Sequence, residues 1–219
     1  MTLIPHRFLL RISYPCRQVA KVPREAGDLL LDLPETCRID NFAGIDGQRN
    51  FAQVRLAWNE LGIGVQVEVR GKDQPPRGDA ARPRGSDGLT LWLDTRDARA
   101  SHRASRYCHQ FHLLASGGGP ERDEPALLQT AIHRAQQDAP IAPPGSVPFR
   151  GHPVKGGYLL EAFLPAAVLA GFDPDQNRRL GFYYAVHDAE LGDQTLSVGA
   201  EFPYWEDPTL WSVLDLVDG

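Results

Sequence analysis

The sequence predicts an all-β, antiparallel β-sandwich, and three observations lead there. The first is strict alternation of apolar and polar residues on both sides of a turn between Ala52 and Arg70. The second is the number of such segments: about ten short apolar runs, each closed by turn residues, at the spacing of a sandwich or barrel. The third is composition. With 18 prolines and 21 glycines the chain favours many short elements over long helices. A length of 219 residues suits one large sandwich, and 42% hydrophobic with 23% charged residues can build a packed core.

Taken in order, Phe8 to Tyr14 alternates as a strand, and Asp28 to Leu33 is a weak apolar run stopped by Pro34. Val54, Leu56 and Trp58 form one arm of the hairpin. The turn Asn59-Glu60-Leu61-Gly62 follows, and Ile63, Val65, Val67 and Val69 form the other arm. Lys72 to Ser86 is a loop rich in Pro, Gly and Arg. Leu89, Leu91 and Leu93 then face one way, with Thr90, Trp92 and Asp94 the other, and Tyr107 to Ala115 is the partner strand up to Gly117-Gly118-Gly119. The segment from Glu124 to Gln137 reads as one inserted helix, opened by Pro125 and closed by Asp138-Ala139-Pro140. Gly145 to Pro148 is a loop. Tyr158 to Leu164 is a strand, Pro165 to Leu169 a single helical turn, and Leu180 to His187, Leu196 to Ala200 and Trp211 to Val217 complete the strands.

Charge and motifs exclude several function classes. A net charge of -5 gives no general attraction to nucleic acid. Cys16, Cys37 and Cys108 are odd in number and lack metal-ligand or C-x-x-C spacing, so buried thiols are expected. Residues Met1 to Cys16 are too short and too broken in their apolar run for a secretory signal, and no run is long enough to span a membrane. A soluble, cytoplasmic protein is the expectation. Neither G-x-S-x-G nor H-E-x-x-H occurs, nor a phosphate-binding loop or dinucleotide fingerprint.

Candidate ligand contacts come from ring and charge chemistry. Trp92 stands opposite the three leucines of its strand, either stacking on a sugar's C–H face or packing in a core. The loop Pro203-Tyr204-Trp205-Glu206-Asp207-Pro208 presents Tyr204 and Trp205, whereas Trp58 and Trp211 flank turns and suit packing. Arg96, Arg99, Arg103 and Arg106 would share a basic face on a helical turn and splay on a loop. In the first case Arg103 and Arg106 would grip a carboxylate, sulfate or phosphate. His109 and His112, three apart on a strand, point to opposite faces, so a cluster with His187 needs tertiary proximity. Glu161 alternates with large hydrophobes, as a ligand contact or as a partner for an arginine. Asp40, Asp46, Asp87, Asp94, Asp188 and Asp193 supply oxygens, but none in an EF-hand pattern.

The order of these blocks resembles the family 9 carbohydrate-binding modules. The blocks are the hairpin 54–70, Asp87-Gly88-Leu89-Thr90-Leu91-Trp92-Leu93-Asp94, and Gly157-Tyr158-Leu159-Leu160-Glu161-Ala162-Phe163-Leu164-Pro165. They continue with Leu180-Gly181-Phe182-Tyr183-Tyr184-Ala185-Val186-His187-Asp188, then Tyr204-Trp205, then Trp211-Ser212-Val213-Leu214-Asp215-Leu216. The resemblance covers residues 28–217, leaving an extension at 1–27 and an insertion at 117–150 within one domain. It implies a sandwich related to DOMON-type domains that binds sugars without cleaving them. In that family a sugar sits between aromatic rings, with Trp205 at the late stacking position, and some members carry structural calcium. Where a second aromatic is usual, this chain reads Arg82-Pro83-Arg84-Gly85-Ser86, and Thr90 replaces an acidic residue.

The expected function is therefore a non-catalytic module for a carbohydrate or other polar small molecule, neutral or anionic, with no cofactor beyond such calcium. The alternatives are an interaction domain that has kept the sandwich and lost the sugar site, a glycoside hydrolase using Glu161 and Asp94, or a haem-binding DOMON-type protein. Met1 is the only methionine for a haem axial ligand.

Overall fold

The computed structural model describes residues 12–24, 26–98 and 100–219, and nearly all regular structure in it is β. Among the described residues the strands are β1 (Ser13–Gln18), β2 (Ala52–Asn59), β3 (Gly62–Arg70), β4 (Gly88–Asp94), β5 (Cys108–Gly118) and β6 (Glu124–Thr130). They continue with β7 (Phe149–Val154), β8 (Gly157–Pro165), β9 (Arg179–Asp188), β10 (Gly192–Thr195) and β11 (Ser212–Val217). Hydrogen bonds join them in the order β6-β5-β4-β9-β11-β1-β2-β3-β8-β7, with β10 added to β9. Every pair is antiparallel except β1, which runs parallel to both β11 and β2. The sheet folds over so that β5 meets β8 and β6 meets β7, enclosing the core between two halves.

Register explains what lies inside. Leu89, Leu91 and Leu93 of β4 pair with Val186, Tyr184 and Phe182 of β9, so these side chains share the inner face. Ile63, Val65, Val67 and Val69 of β3 pair with Leu164, Ala162, Leu160 and Tyr158 of β8 to line the opposing wall. All of them are buried in one cluster. A one-residue slip of β4 would turn three leucines outward, at roughly 1.5–3 kcal/mol for each buried side chain lost, so the register is strongly specified. Trp58 and Trp211 are both 1% exposed and serve packing. The three cysteines are buried free thiols.

Two expectations are corrected. Residues 124–130 form strand β6, not a helix, and the segment after Thr130 is turns and coil. Leu114, Leu113, His112, Phe111 and Gln110 of β5 pair with Ala126 through Thr130, so satisfying the open edge of β5 overrides local helix propensity. Pro125 fits an edge strand, where a missing donor is tolerated. Leu196 to Ala200 is likewise not a strand: β10 ends at Thr195. The burial of Leu196 and Val198 comes from packing after the chain bends away. The early strand at Phe8 to Tyr14 lies largely outside the described residues, and β1 begins at Ser13. The hairpin and the turn at Ala166–Val168 match the sequence reading.

The outer face of the β3–β8 half is sealed by residues 22–24 and 26–37. Val22, Leu30, Leu31, Leu33 and Cys37 pack on Ala57 and Phe163 as a second small core. Gly64 makes room for this strap, since a Cβ there would stand 3.3 Å from Leu31. Glu161 fastens it. Its carboxylate, in a residue 0% exposed, accepts from the amides of Leu30 (2.9 Å), Leu31 (3.0 Å) and Asp32 (2.9 Å). The Leu33 amide donates to Gln66 Oε1 at 2.9 Å, and Arg150 donates to the carbonyls of Gly27 and Asp28. Hydrogen bonds to a buried charged group are worth about 1.5–3 kcal/mol each. Glu161→Ala should therefore cost more than about 3 kcal/mol in chemical denaturation and release the amides of residues 30–32 to rapid hydrogen exchange. Unchanged stability and exchange would contradict the clamp.

Candidate functional site

The outer face of the other half is arranged differently. Period-two alternation turns Thr90 and Trp92 of β4 away from the leucine core. Register then sets Thr90 opposite His112 and Ala185, and Trp92 opposite Gln110 and Tyr183. Across the next ladder Gln110 faces Thr130 of β6, and on the far side His187 of β9 faces Asp193 of β10. One surface of five strands thus collects a tryptophan, a tyrosine, two threonines, a glutamine and two histidines.

These polar groups form a chain of hydrogen bonds. The Trp92 indole donates to Gln110 Oε1 at 2.6 Å, which fixes the orientation of that amide. Gln110 Nε2 then donates to Thr130 Oγ1 at 2.6 Å and to His112 Nε2 at 3.0 Å. His112 Nε2 is therefore the acceptor of a neutral ring, and its Nδ1–H donates to Thr90 Oγ1 at 2.9 Å. Burial, with a smaller contribution from the nearby Arg84 charge, holds the His112 pKa down to about 4. Thr130 Oγ1 also lies 2.9 Å from His112 Nε2. That nitrogen has one lone pair and two competing donors, so the Thr130 hydroxyl proton can be given to a ligand. Gln110, His112 and Thr130 floor a cleft of about 290 Å³ that the turn Arg82–Gly85 rims.

Beside this network stands a row of aromatic rings. Tyr204 stacks on Tyr183 at 4.6 Å between centroids and meets the edge of Trp92 at 5.6 Å. Trp205 lies T-shaped on Tyr204 at 5.4 Å and is half-buried, at the outer end of the row. The Tyr183 hydroxyl donates to the Val198 carbonyl. Several contacts hold the loop that carries the two outer rings. The Trp211 indole donates to the Tyr204 carbonyl at 2.8 Å, Asp207 caps the turn at Thr209, His133 bonds Glu206 at 2.7 Å and His102 bonds Asp207 at 2.9 Å. Burial foremost pushes the Tyr204 hydroxyl pKa up to about 12, keeping it a neutral donor.

The structure brings Trp92, Tyr204, Trp205 and His187 to this one face. Trp92 is 2% exposed, so it supports the row from below, and Tyr204 and Trp205 are the part-exposed rings. His109 lies on the opposite, inner face, 0% exposed, stacked on Phe111, with burial lowering its pKa to about 4. Glu161 is the strap clamp on the other half. The arginines follow a loop and splay: Arg103 donates to the carbonyls of Arg134 and Ala135, and Arg96 and Arg106 flank the ring of Tyr107. Arg99 lies outside the described residues. Arg103 also lines a second cleft of about 510 Å³ with His102, Arg134, Pro203, Glu206 and Asp207, beyond the Trp205 loop. Gln110, Thr130 and Arg84 were not singled out from sequence as contacts. Thr130 was hidden by the helix reading, and Gln110 shows its role only once β4 and β5 are in register.

Several of the acidic residues named from the sequence have partners within the chain. Asp87 and Asp188 converge on Lys72, whose ammonium donates to Asp87 Oδ2 at 3.0 Å and to both oxygens of Asp188 at 2.6 and 2.7 Å. All three side chains are at most 2% exposed. Asp94 accepts from the amides of Arg96 and Ala98, and the side chain of Asp46 lies outside the described residues. Among the described residues no three His, Cys, Asp or Glu side chains converge as a metal site.

His187 and Asp193 form a partly exposed pair at 2.6 Å, 36% and 70% exposed at their side chains. The hydrogen bond to Asp193 raises the His187 pKa, and the same bond lowers that of Asp193. The pair's stabilisation is thus complete below about pH 6.5, the unfolded histidine value, and fades as pH rises through the raised one. It is also lost as pH falls through the lowered Asp193 value. Histidine titration by NMR should place His187 above 6.5 and His112 near 4, with Asp193→Asn returning His187 toward 6.5. His112 titrating at 6.5 would contradict the buried neutral ring.

No family model matches the chain, and no curated protein matches it. Solved structures do. A family 9 carbohydrate-binding module from Caldicellulosiruptor kristjanssonii, in complex with cellotriose, superposes with a TM-score of 0.62 at 12% identity, covering 95% of each chain. A family 9 module from that organism in complex with glucose gives 0.61 at 13%, covering 95% of this chain and 97% of the other. At such identity the likeness speaks for architecture: this chain has the fold of the family 9 carbohydrate-binding modules.

Proposed function

We propose that this chain is a non-catalytic carbohydrate-binding module that takes a sugar on the outer face of β9-β4-β5-β6, beside the Tyr204–Trp205 loop. The observation that carries this is the juxtaposition of a half-exposed indole at the end of a braced aromatic row with a preorganised polar floor. Sugars need both kinds of surface: apolar C–H faces pack on rings, and hydroxyls take directional hydrogen bonds. Trp205 supplies the first. The Thr130 hydroxyl, held by Gln110, supplies the second. The cleft of about 290 Å³ is small, at the lower end for ligand pockets, and suits a sugar unit or the end of a chain. The two similar structures, solved with cellotriose and with glucose, support the choice of ligand class.

A hydrolase is the less favoured reading because its candidate carboxylates are already engaged. Glu161 holds three strap amides, and Asp94 caps the turn after β4.

Calorimetric titration with glucose and cellotriose tests the assignment. Saturable binding is expected. Trp205→Ala should weaken it about tenfold or more, equivalent to about 1.4 kcal/mol. Thr130→Val should weaken it about three- to tenfold through one lost hydrogen bond. Absence of binding at high millimolar sugar, or binding that ignores Trp205→Ala, would overturn the proposal.

A further inference from the structure

We propose that the cleft beneath the Arg82–Gly85 turn selects a sugar bearing an anionic group, a carboxylate or a sulfate, and that the Arg84 guanidinium reads that group. The inference rests on the carbohydrate reading above and narrows the ligand to acidic saccharides.

Three observations place a usable cation there. Arg84 lines the same cleft as Gln110, His112 and Thr130. Its charge reaches both His112 of the polar floor and Tyr204 of the aromatic row. Among the described residues its side chain has no ion pair or hydrogen bond, whereas the neighbouring Arg82 donates to Asp79 at 3.2 Å. The turn beneath it is fastened. Ser86 Oγ accepts from the Asp79 amide at 2.8 Å and lies 3.1 Å from the Arg82 carbonyl. A guanidinium on such a turn offers a planar donor fork matched to a carboxylate or sulfate.

The surrounding charges leave that role to Arg84. No acidic residue lines the cleft. Asp193 and Glu201 reach Tyr204 electrostatically, but Asp193 is paired with His187 and Glu201 accepts from the Gly199 amide. His112, neutral and bonded at both nitrogens, does not compete for the anion. With a net charge of -5, the chain as a whole repels anions, so an acid preference must arise locally.

The test compares glucose, glucuronate and glucose 6-sulfate by calorimetry on the full chain at low and physiological ionic strength. Arg84 is exposed, so the expected preference for the better acidic sugar over glucose is modest, about five- to tenfold at low salt. It should shrink as salt screens the charge. Arg84→Gln should collapse the ratio of acidic-sugar to glucose affinity to about one, whereas Arg82→Gln, whose guanidinium is already paired with Asp79, should leave that ratio nearly as it is in the unaltered protein. Whether glucuronate or the sulfate ester gains more separates the two anions. Glucose binding without acid preference, or a preference that survives Arg84→Gln, overturns this inference alone. Silence toward all three sugars overturns the carbohydrate reading with it.

Discussion

One buried amide organises the outer face. Gln110 accepts from the Trp92 indole and donates to both Thr130 and His112, so its three bonds cross β4, β5 and β6. Trp92, Gln110 and His112 are buried, and each of their polar groups would cost roughly 1–3 kcal/mol if left unsatisfied. The network therefore holds only in one register of the three strands. That register also sends Leu91 and Phe111 into the core. Core packing and site geometry are two sides of the same ladder, and neither can shift without the other.

The contrast between the two outer faces shows why the site is where it is. On the β3–β8 half, strap residues 30–33 bring backbone amides onto Glu161 and Gln66, and apolar side chains close the surface. On the β4–β9 half the cover is partial: the turn at Arg82–Gly85 rims a cleft over Gln110, His112 and Thr130, and a separate loop sets Tyr204 and Trp205 beside Trp92. Lys72 steadies the ends of this half by joining Asp87, just before β4, to Asp188, at the end of β9. A buried ammonium between two carboxylates ties these loops with a cation that the chain itself supplies, a geometry strongly destabilised if one partner is removed.

Much of this was legible in the sequence. Alternation in Val54 to Val69 and in Leu89 to Asp94 announces strands and their buried faces directly, because side-chain period is a local property. The same period placed Trp92 opposite the leucines and separated His109 from His112 correctly. What stayed hidden was pairing. Glu124 to Thr130 carries helix-favouring residues, and only the unfilled edge of β5 makes it a strand, which is why Thr130 escaped notice. From the sequence Glu161 reads as a ligand contact or a partner for an arginine. Its true partners are backbone amides some 130 residues away in the chain, which have no side-chain signature. The arginine-rich stretch drew attention by its density, yet the guanidinium standing over the cleft is Arg84, one of a turn whose importance depends on tertiary placement.

The most direct test of the account is an NMR titration of the labelled protein with glucose and glucuronate, following backbone amides, the Gln110 side-chain amide and the tryptophan indoles. The account predicts saturable shifts concentrated at Thr130, Gln110, Arg84 and the Trp205 indole, with residues of the Glu161 strap unmoved. Shifts gathered instead at the cleft of about 320 Å³ around Arg38, Asn50 and Arg70, or no shifts at all, would contradict it.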